Sequence, residues 1–296
     1  MAAAFLLGGA LTPAVAGQPP AAPLRIVSLA PAITETLFAL GLGARVVAVS
    51  TYCDFPPEAA SRPHVGSFLA PAAEAIVAQH PDLVLTSPTP GNESAVRAMQ
   101  RAGLRVEVVE GDGSLDDSRS AMLQVARLAG DEEAGRRLVA SLDARLAAVR
   151  TAASSLPRVP VAVVLGRDPL VLAGPASVLG ELVVLAGGRN VADAAGGRWP
   201  RVGAEFLMTA APEVLVDLAL PMGETPSPKD AAEAAATAAS SWKELASLPA
   251  VKNGRVVTDS SSSMLRPGPR LPDAAEALFR ALHPGAALPP MPGPAR

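Results

Sequence analysis

The sequence predicts an α/β fold of two related Rossmann-like lobes, each built on a mostly parallel sheet, joined by one long rigid α-helix. Three observations carry that expectation. First, the chain repeats itself. Ala73-Glu74-Ala75-Ile76-Val77, running on to Pro81-Asp82-Leu83-Val84-Leu85, returns 131 residues later as Ala204-Glu205-Phe206-Leu207-Met208 and Pro212-Glu213-Val214-Leu215-Val216. Each copy is a short amphipathic helix opened by a glutamate, then a proline-acid step and an apolar run of strand length. An upstream echo, Ile33-Thr34-Glu35-Thr36-Leu37 against Leu179-Gly180-Glu181-Leu182-Val183, is spaced by 146 residues, so the first copy holds the longer loop. Second, strand-like and helix-like segments alternate along both halves, the pattern of a parallel sheet covered by helices. Third, Asp131 to Ser155 reads as a single helix. It opens with an Asp and first-turn acids, and it places Leu138, Leu142, Leu146 and Val149 at helical spacing. A flexible linker would instead be rich in Gly and Ser.

In chain order, residues 1–23 read as a processing leader. The apolar run Ala2–Leu11 is followed by Ala14-Val15-Ala16, a small-residue cleavage pattern, although no basic residue precedes Arg25. The run is shorter than the ~20 apolar residues a membrane span requires. An exported, periplasmic chain is therefore expected. The N-terminal lobe, 24–130, starts with strand Arg25–Leu29, closed by Pro31, and a helix from Thr34 to Leu40 ended by Gly41. Strand Val46–Val49 opens into the long polar loop Ser50–Ser67. The first duplicated helix (Ala72–Gln79) and strand (Leu83–Thr86) follow, then helix Asn92–Ala102 and strand Val106–Val109. The linking helix is placed at 131–156. The C-terminal lobe, 157–283, brings strand Val161–Leu165, loop Gly166–Ser177, helix Val178–Ala186, loop Asp193–Val202 and the second duplicated unit. Pro221–Ser241 is an Ala-, Pro- and Ser-rich insertion with a helix-prone Ala run. A last strand is expected in Val251–Thr258 and a closing helix in Asp273–Leu282, with a disordered tail at 284–296.

Composition excludes several function classes. Hydrophobic residues at 49% and charged residues at 18% suit two soluble cores, and a net charge of −3 with no Lys/Arg cluster is no footprint for nucleic acid. The sole cysteine, Cys53, leaves no internal disulfide and no multi-cysteine metal site. Gly41-Leu42-Gly43-Ala44-Arg45-Val46 imitates a dinucleotide fingerprint, but it ends a helix and precedes a strand, and Val46 stands where the third glycine belongs. No nucleophile elbow, P-loop or zinc-protease motif is present. Of the three histidines, His80 and His283 each precede a proline at a helix end, where capping explains them. His64 shares a loop with Cys53 and Asp54, yet the spacing matches no standard ligand set, and no metal is expected.

Aromatics make up only 3% of the chain, so those in loops are informative. Tyr52, Phe68 and Trp199 all fall on strand-to-helix connections, where open α/β sheets bind ligands at the carboxyl ends of their strands. From both lobes they would line a cleft with flat apolar faces. A packing role for each is the alternative. Arg266 adds a cation in the proline-rich loop Ser262-Ser263-Met264-Leu265-Arg266-Pro267-Gly268-Pro269-Arg270.

These residues carry a resemblance. Arg25-Ile26-Val27-Ser28-Leu29-Ala30-Pro31 with Thr34-Glu35 resembles the start of periplasmic binding proteins of the helical-backbone class, which serve ABC importers of cobalamin, haem and ferric siderophores. The likeness runs from about Arg25 to Pro284 and includes the linking helix. Tyr52 with Asp54-Phe55-Pro56-Pro57, Trp199-Pro200, and Arg266 before Pro269-Arg270 are similar to the cobalamin receptors in particular. The resemblance implies an importer's binding protein, not an enzyme, and no cofactor beyond cobalamin or a related corrinoid as cargo. Tyr52, Phe68, Trp199, Ser262, Ser263, Met264, Leu265 and Arg266 would face the ligand. Glu74 and Glu205 would dock a monomeric receptor on an ABC permease dimer with its ATPase. Phe68 stands where the best-known cobalamin receptor has a tryptophan, Ser262 where it has an aspartate, and its disulfide has no counterpart. Haem is the alternative ligand, with Tyr52 or His64 as axial group, and a siderophore receptor would offer cationic or polar side chains. A two-lobed enzyme such as a nucleotide-sugar transferase is the alternative from another class, since fold alone does not decide function.

Overall fold

The computed structural model describes residues 24–219, 236–238, 240–259 and 261–289. The leader at 1–23 and most of the insertion at 221–241 lie outside the described residues. The first lobe contains β1 (Ile26–Ser28), α1 (Pro31–Ala39), β2 (Val46–Val49), α2 (Pro57–Ala60), α3 (Ala73–Val77), β3 (Leu83–Thr86), α4 (Glu93–Arg101) and β4 (Val106–Val108). Two helices follow, α5 (Leu115–Leu128) and α6 (Glu132–Ala153). The second lobe contains β5 (Val159–Arg167), β6 (Leu170–Leu172), α7 (Val178–Leu185), β7 (Gly188–Asn190), α8 (Ala204–Ala210), β8 (Val214–Asp217), α9 (Pro249–Lys252), β9 (Val256–Val257) and α10 (Leu271–Leu282).

The duplication seen in the sequence is a duplication of topology. The first sheet has the order β2-β1-β3-β4, all parallel. In the second, β7, β5, β8 and β9 lie parallel in the corresponding order, with β6 added antiparallel beside the end of β5. Within the repeats, α3 leads into β3 and α8 into β8, so the echoed motifs occupy equivalent places.

Strand alternation explains how the lobes are held together. Successive side chains of a strand point to opposite faces of its sheet. Ile26, Leu83 and Leu85 in the first lobe, and Val161, Val163, Val214 and Val216 in the second, all enter one continuous core. The intervening Val27 and Val84 face a separate outer core with Ile76 and Met99. Ala162, Val164 and Leu215 likewise face a second outer core with Leu207 and Trp242. Between the inner faces lies a shared helical layer. It contributes Leu37 of α1, Met122 and Val125 of α5, Leu138, Leu142, Leu146 and Val149 of α6, Leu182 of α7, and Leu278 and Phe279 of α10. The linking helix is thus one member of a common core.

α6 starts on Asp131, whose side chain accepts from the Ala134 amide at 3.1 Å, with Glu132 and Glu133 in the first turn. Its 22 residues span about 33 Å at 1.5 Å per residue. Ion pairs fasten it on both sides: Arg119 of α5 to Asp143 at 2.6 Å, and Arg145 to Asp273 and Glu276 of α10 at 2.6 and 2.5 Å.

Several elements differ from the sequence expectation. Pro31 begins α1 rather than ending the preceding strand, because the first helical position needs no amide donor. The helix α5 was not anticipated, although Ser114 caps it by accepting from the Asp117 amide at 3.1 Å. Most of the expected strand at Val251–Thr258 is occupied by the end of α9 and a turn, leaving only Val256–Val257 extended, since Pro249 starts a short helix there. Of the tail expected to be disordered at 284–296, residues 290–296 lie outside the described residues, while Ala286 and Leu288 pack on the shared core.

Candidate functional site

The connections leaving the carboxyl ends of both sheets carry the residues expected to face a ligand. After β2, the loop carrying Tyr52 is pinned from beneath by Cys53. Its thiol lies 3.2 Å from the Ser50 hydroxyl and accepts from Thr34 Oγ1 at 3.1 Å, while Thr34 meets Ser28 Oγ at 2.7 Å. Burial pushes the Cys53 thiol pKa up, and the hydrogen bonds from Ser50 and Thr34 only partly offset that. Tyr52 above it is half-buried and meets Phe68 edge to face, with centroids 4.9 Å apart and planes at 62°. Phe68 is held in turn by the Asn92 amide, which donates to the carbonyls of Phe68 (3.4 Å) and Ser87 (3.1 Å) beside the end of β3. Gly66 allows the return of this loop. Its φ is +91°, and a Cβ there would strike the Ala70 carbonyl and Ala72 amide.

The Trp199 loop is mounted differently. It runs beside β6 and is bonded to it: the Leu172 amide donates to the Pro200 carbonyl and the Val202 amide to the Leu170 carbonyl, both at 3.0 Å. The Gly174 amide donates to the Arg198 carbonyl at 2.9 Å. Trp199 stands 41% exposed on this support. Its neighbour Arg198 lies 5.7 Å from the indole centroid and donates to Asp112 of the first lobe at 3.0 Å. Arg198 thus ties the Trp199 loop of lobe two to the loop that follows β4.

The third connection, after β9, is gathered around a single carboxylate. Asp259 is buried and accepts from the Ser261 amide (2.8 Å), the Ser261 hydroxyl (2.5 Å) and the Met264 amide (3.0 Å). Ser263 and Met264 are buried by this fold of the loop. Ser263 Oγ lies 2.8 Å from Ser261 Oγ and 3.4 Å from Asp259 Oδ2, and Met264 enters the shared core. Ser262 is half-buried and Leu265 is 43% exposed. Of the serine-to-arginine run, Ser262 and Leu265 reach the surface, whereas Ser263 and Met264 face the protein.

Arg266 is not a free cation. Both of its Nη atoms bond Asp54, the Nη2 contact to Oδ2 at 2.8 Å, and Nη1 also lies 3.5 Å from Glu35 Oε1. Four residues on, Arg270 engages the same glutamate in fork geometry, Nε to Oε2 at 2.8 Å and Nη2 to Oε1 at 2.6 Å, and donates to the Ser261 carbonyl at 2.8 Å. The Phe55 ring covers this guanidinium at 4.1 Å. Burial works against the Arg266 charge, but the hydrogen bonds and charge of Asp54, with Glu35 behind, overcome it and raise its pKa. Glu35 and Asp54 belong to the first lobe and both arginines to the second, so the quartet spans the junction. In the sequence, Glu35, Asp54, Phe55 and Arg270 stand only within motifs, and none of them is expected as a site residue.

Glu74 and Glu205 each occupy the second position of their helix, α3 and α8, and both are exposed. Each has an exposed apolar residue three positions on, Val77 and Met208. Among the described residues neither glutamate forms an ion pair. His64 is exposed, while His283 is buried at the end of α10, as a cap residue whose amide donates to the Phe279 carbonyl. Among the described residues no group of three His, Cys, Asp or Glu side chains is arranged to hold a metal ion. No helix among them is long and apolar enough to cross a membrane.

Comparison with known proteins agrees with this architecture. Residues 26–262 match the family profile described as periplasmic binding protein. The vitamin B12-binding protein of Vibrio parahaemolyticus is 27% identical over 246 residues, covering 83% of this chain and 84% of that protein. Its counterpart from Yersinia pestis is 32% identical over 218 residues, covering 73% and 75%. Among solved structures, the periplasmic heme-binding protein of Roseiflexus in apo form superposes with a TM-score of 0.73 at 28% identity, covering 88% of this chain and 100% of that one. The periplasmic vitamin B12 binding protein of Vibrio cholerae gives 0.71 at 26% identity, covering 88% and 97%.

Proposed function

This chain belongs to the periplasmic binding protein family, and from that premise we propose that it captures cobalamin or a related corrinoid between its lobes and delivers it to an ABC importer. The observation that carries the reading is that each lobe holds an aromatic side chain on a strand-to-helix connection. Tyr52 braced on Phe68 comes from one lobe, and exposed Trp199 comes from the other. Both are mounted on hydrogen-bonded loops rather than loose ones, which lowers the ordering cost of binding. A broad, flat, largely apolar ring system is the ligand shape that such faces bury best. Ser262 and Leu265 would complete the wall, with Arg266 acting through its pair with Asp54. The likeness to vitamin B12-binding relatives at 27–32% identity supports the choice of ring.

In this reading cobalamin is cargo and no cofactor or metal of the protein's own takes part. No bond is made or broken, so the chain is a binding protein rather than an enzyme. Glu74 and Glu205 would meet basic residues of a two-subunit permease worked by an ATPase, one glutamate for each subunit. The receptor would act as an exported, periplasmic monomer.

Haem is the second reading, favoured by the heme-binding structural relatives at 28% identity and by Tyr52 as a phenol at the cleft. Calorimetric titration of purified protein with cyanocobalamin, haem and a ferric siderophore separates the readings. Cobalamin is expected to bind at one site per chain. Binding of haem alone would replace cobalamin, and binding of none would remove the receptor reading.

A further inference from the structure

The quartet of Glu35, Asp54, Arg266 and Arg270 contains two carboxylates and two guanidiniums, and its formal charge is zero. Its side chains are only 2–18% exposed. Asp54 bonds both Nη groups of Arg266, so the charge Arg266 would offer a ligand is already paired. The chain neighbours of this pair are exposed apolar groups: Phe55 follows Asp54, and Leu265 precedes Arg266. A ligand resting on Phe55 and Leu265 therefore meets a cation that has already been neutralised. Two further arginines are paired in the same way, Arg198 with Asp112 at 3.0 Å and Arg167 with the buried Asp217 at 2.9 Å.

From this geometry we propose that Asp54 is the charge-selectivity residue of the cleft, masking Arg266 so that amide-bearing ligands are accepted and carboxylate-bearing ones rejected. The inference rests on the cleft being the ligand site, as proposed above. The physical reason is an asymmetry of desolvation. A carboxylate that leaves water must find a compensating charge, and the paired Arg266 supplies none. A neutral amide loses far less hydration and needs only ordinary donors and acceptors. Without Asp54, Arg266 becomes a partly buried cation aimed at the ligand, held in place by Glu35 alone at 3.5 Å. Its field would then favour an acid.

The test is a ratio of affinities for matched ligands of one ring and two charges. Cyanocobalamin is compared with cyanocobalamin whose side-chain amides have been partly hydrolysed to carboxylates, and haem with its neutral dimethyl ester. Wild-type protein is expected to prefer the neutral member of whichever pair it binds. Asp54→Asn should move the ratio toward the carboxylate form by about tenfold at low salt, and raised salt should shrink that shift. Arg266→Gln should move it the opposite way, because Asp54 is then the unmasked charge. This second variant keeps the test decisive if Asp54→Asn folds poorly. An unchanged ratio in a cooperatively folding variant overturns the role of Asp54 while leaving the receptor reading standing. Failure of wild-type protein to bind either ring overturns the receptor reading and this inference together, a result distinct from an unchanged ratio.

Discussion

Gly135 of α6 lies so close to Ala126 of α5 that a Cβ on the glycine would overlap the alanine methyl. This contact explains why a long, otherwise helix-favouring segment tolerates a glycine. Replacing it with alanine should raise helix propensity by about 1 kcal/mol. The collision should cost about 1–3 kcal/mol, the usual range for overpacking a well-filled core. Net destabilisation is expected for Gly135→Ala, read as a lower denaturant midpoint with an unchanged slope. A rise in the midpoint would show that α5 moves aside freely.

The shared helical core makes a second prediction. A hinge needs an element that bends, and α6 contains no proline and is packed against α5, α7 and α10. Ligand binding should therefore change the radius of gyration little. Small-angle scattering with and without cyanocobalamin measures this, and a large contraction would show that the core opens in the free protein.

Trp199→Ala should weaken cobalamin binding by about 2 kcal/mol or more, the loss typical of an aromatic anchor. Ser263→Ala should leave affinity within about twofold, because its hydroxyl serves the Asp259 turn and is buried. Calorimetry on the two variants is a paired check. Equal losses would place Ser263 against the ligand after all.

Glu74→Ala with Glu205→Ala should leave cobalamin affinity unaltered and reduce uptake in vesicles holding the cognate permease. Exposed charges act mainly on encounter and orientation, so raised salt should slow docking of unmodified protein as well. Full uptake by the double variant would reduce both residues to helix-opening acids.

His283 supplies a pH dependence. Burial lowers its pKa, the nearby charge of Arg255 pushes the same way, and a backbone hydrogen bond at Ala186 offsets part of the shift. The folded state therefore binds this proton less readily than the unfolded chain does. The associated stability is intact above the unfolded value, about 6.5, and declines as pH falls through it toward the lower folded value. Denaturant midpoints for His283→Gln should fall less between pH 7 and pH 5 than those of wild type. Parallel curves would assign the acid sensitivity to other groups.

The sequence by itself determined much of this protein. The apolar runs at Leu83–Thr86 and Val214–Asp217, each after a proline-acid step, have strand length, and their repetition points to two equivalent lobes. The capped, proline-free stretch from Asp131 specified the linking helix, and Tyr52 and Trp199 stand out as candidates because aromatics are so rare here. Local signals can also be overlooked: Ser114, with Asp116 and Asp117 behind it, marked the start of α5 in ordinary capping terms. Tertiary structure alone decided what each charge does. Arg266 looks like an open cation in its own loop, yet its partners lie 212 and 231 residues away in the first lobe. Ser263 and Met264 are adjacent to Leu265 but turn inward because Asp259 gathers the loop around its carboxylate. Periodicity reports which face of an element is apolar, a property of neighbours along the chain. Pairing of buried charges is set by which elements the shared core brings together, and no stretch of sequence encodes that locally.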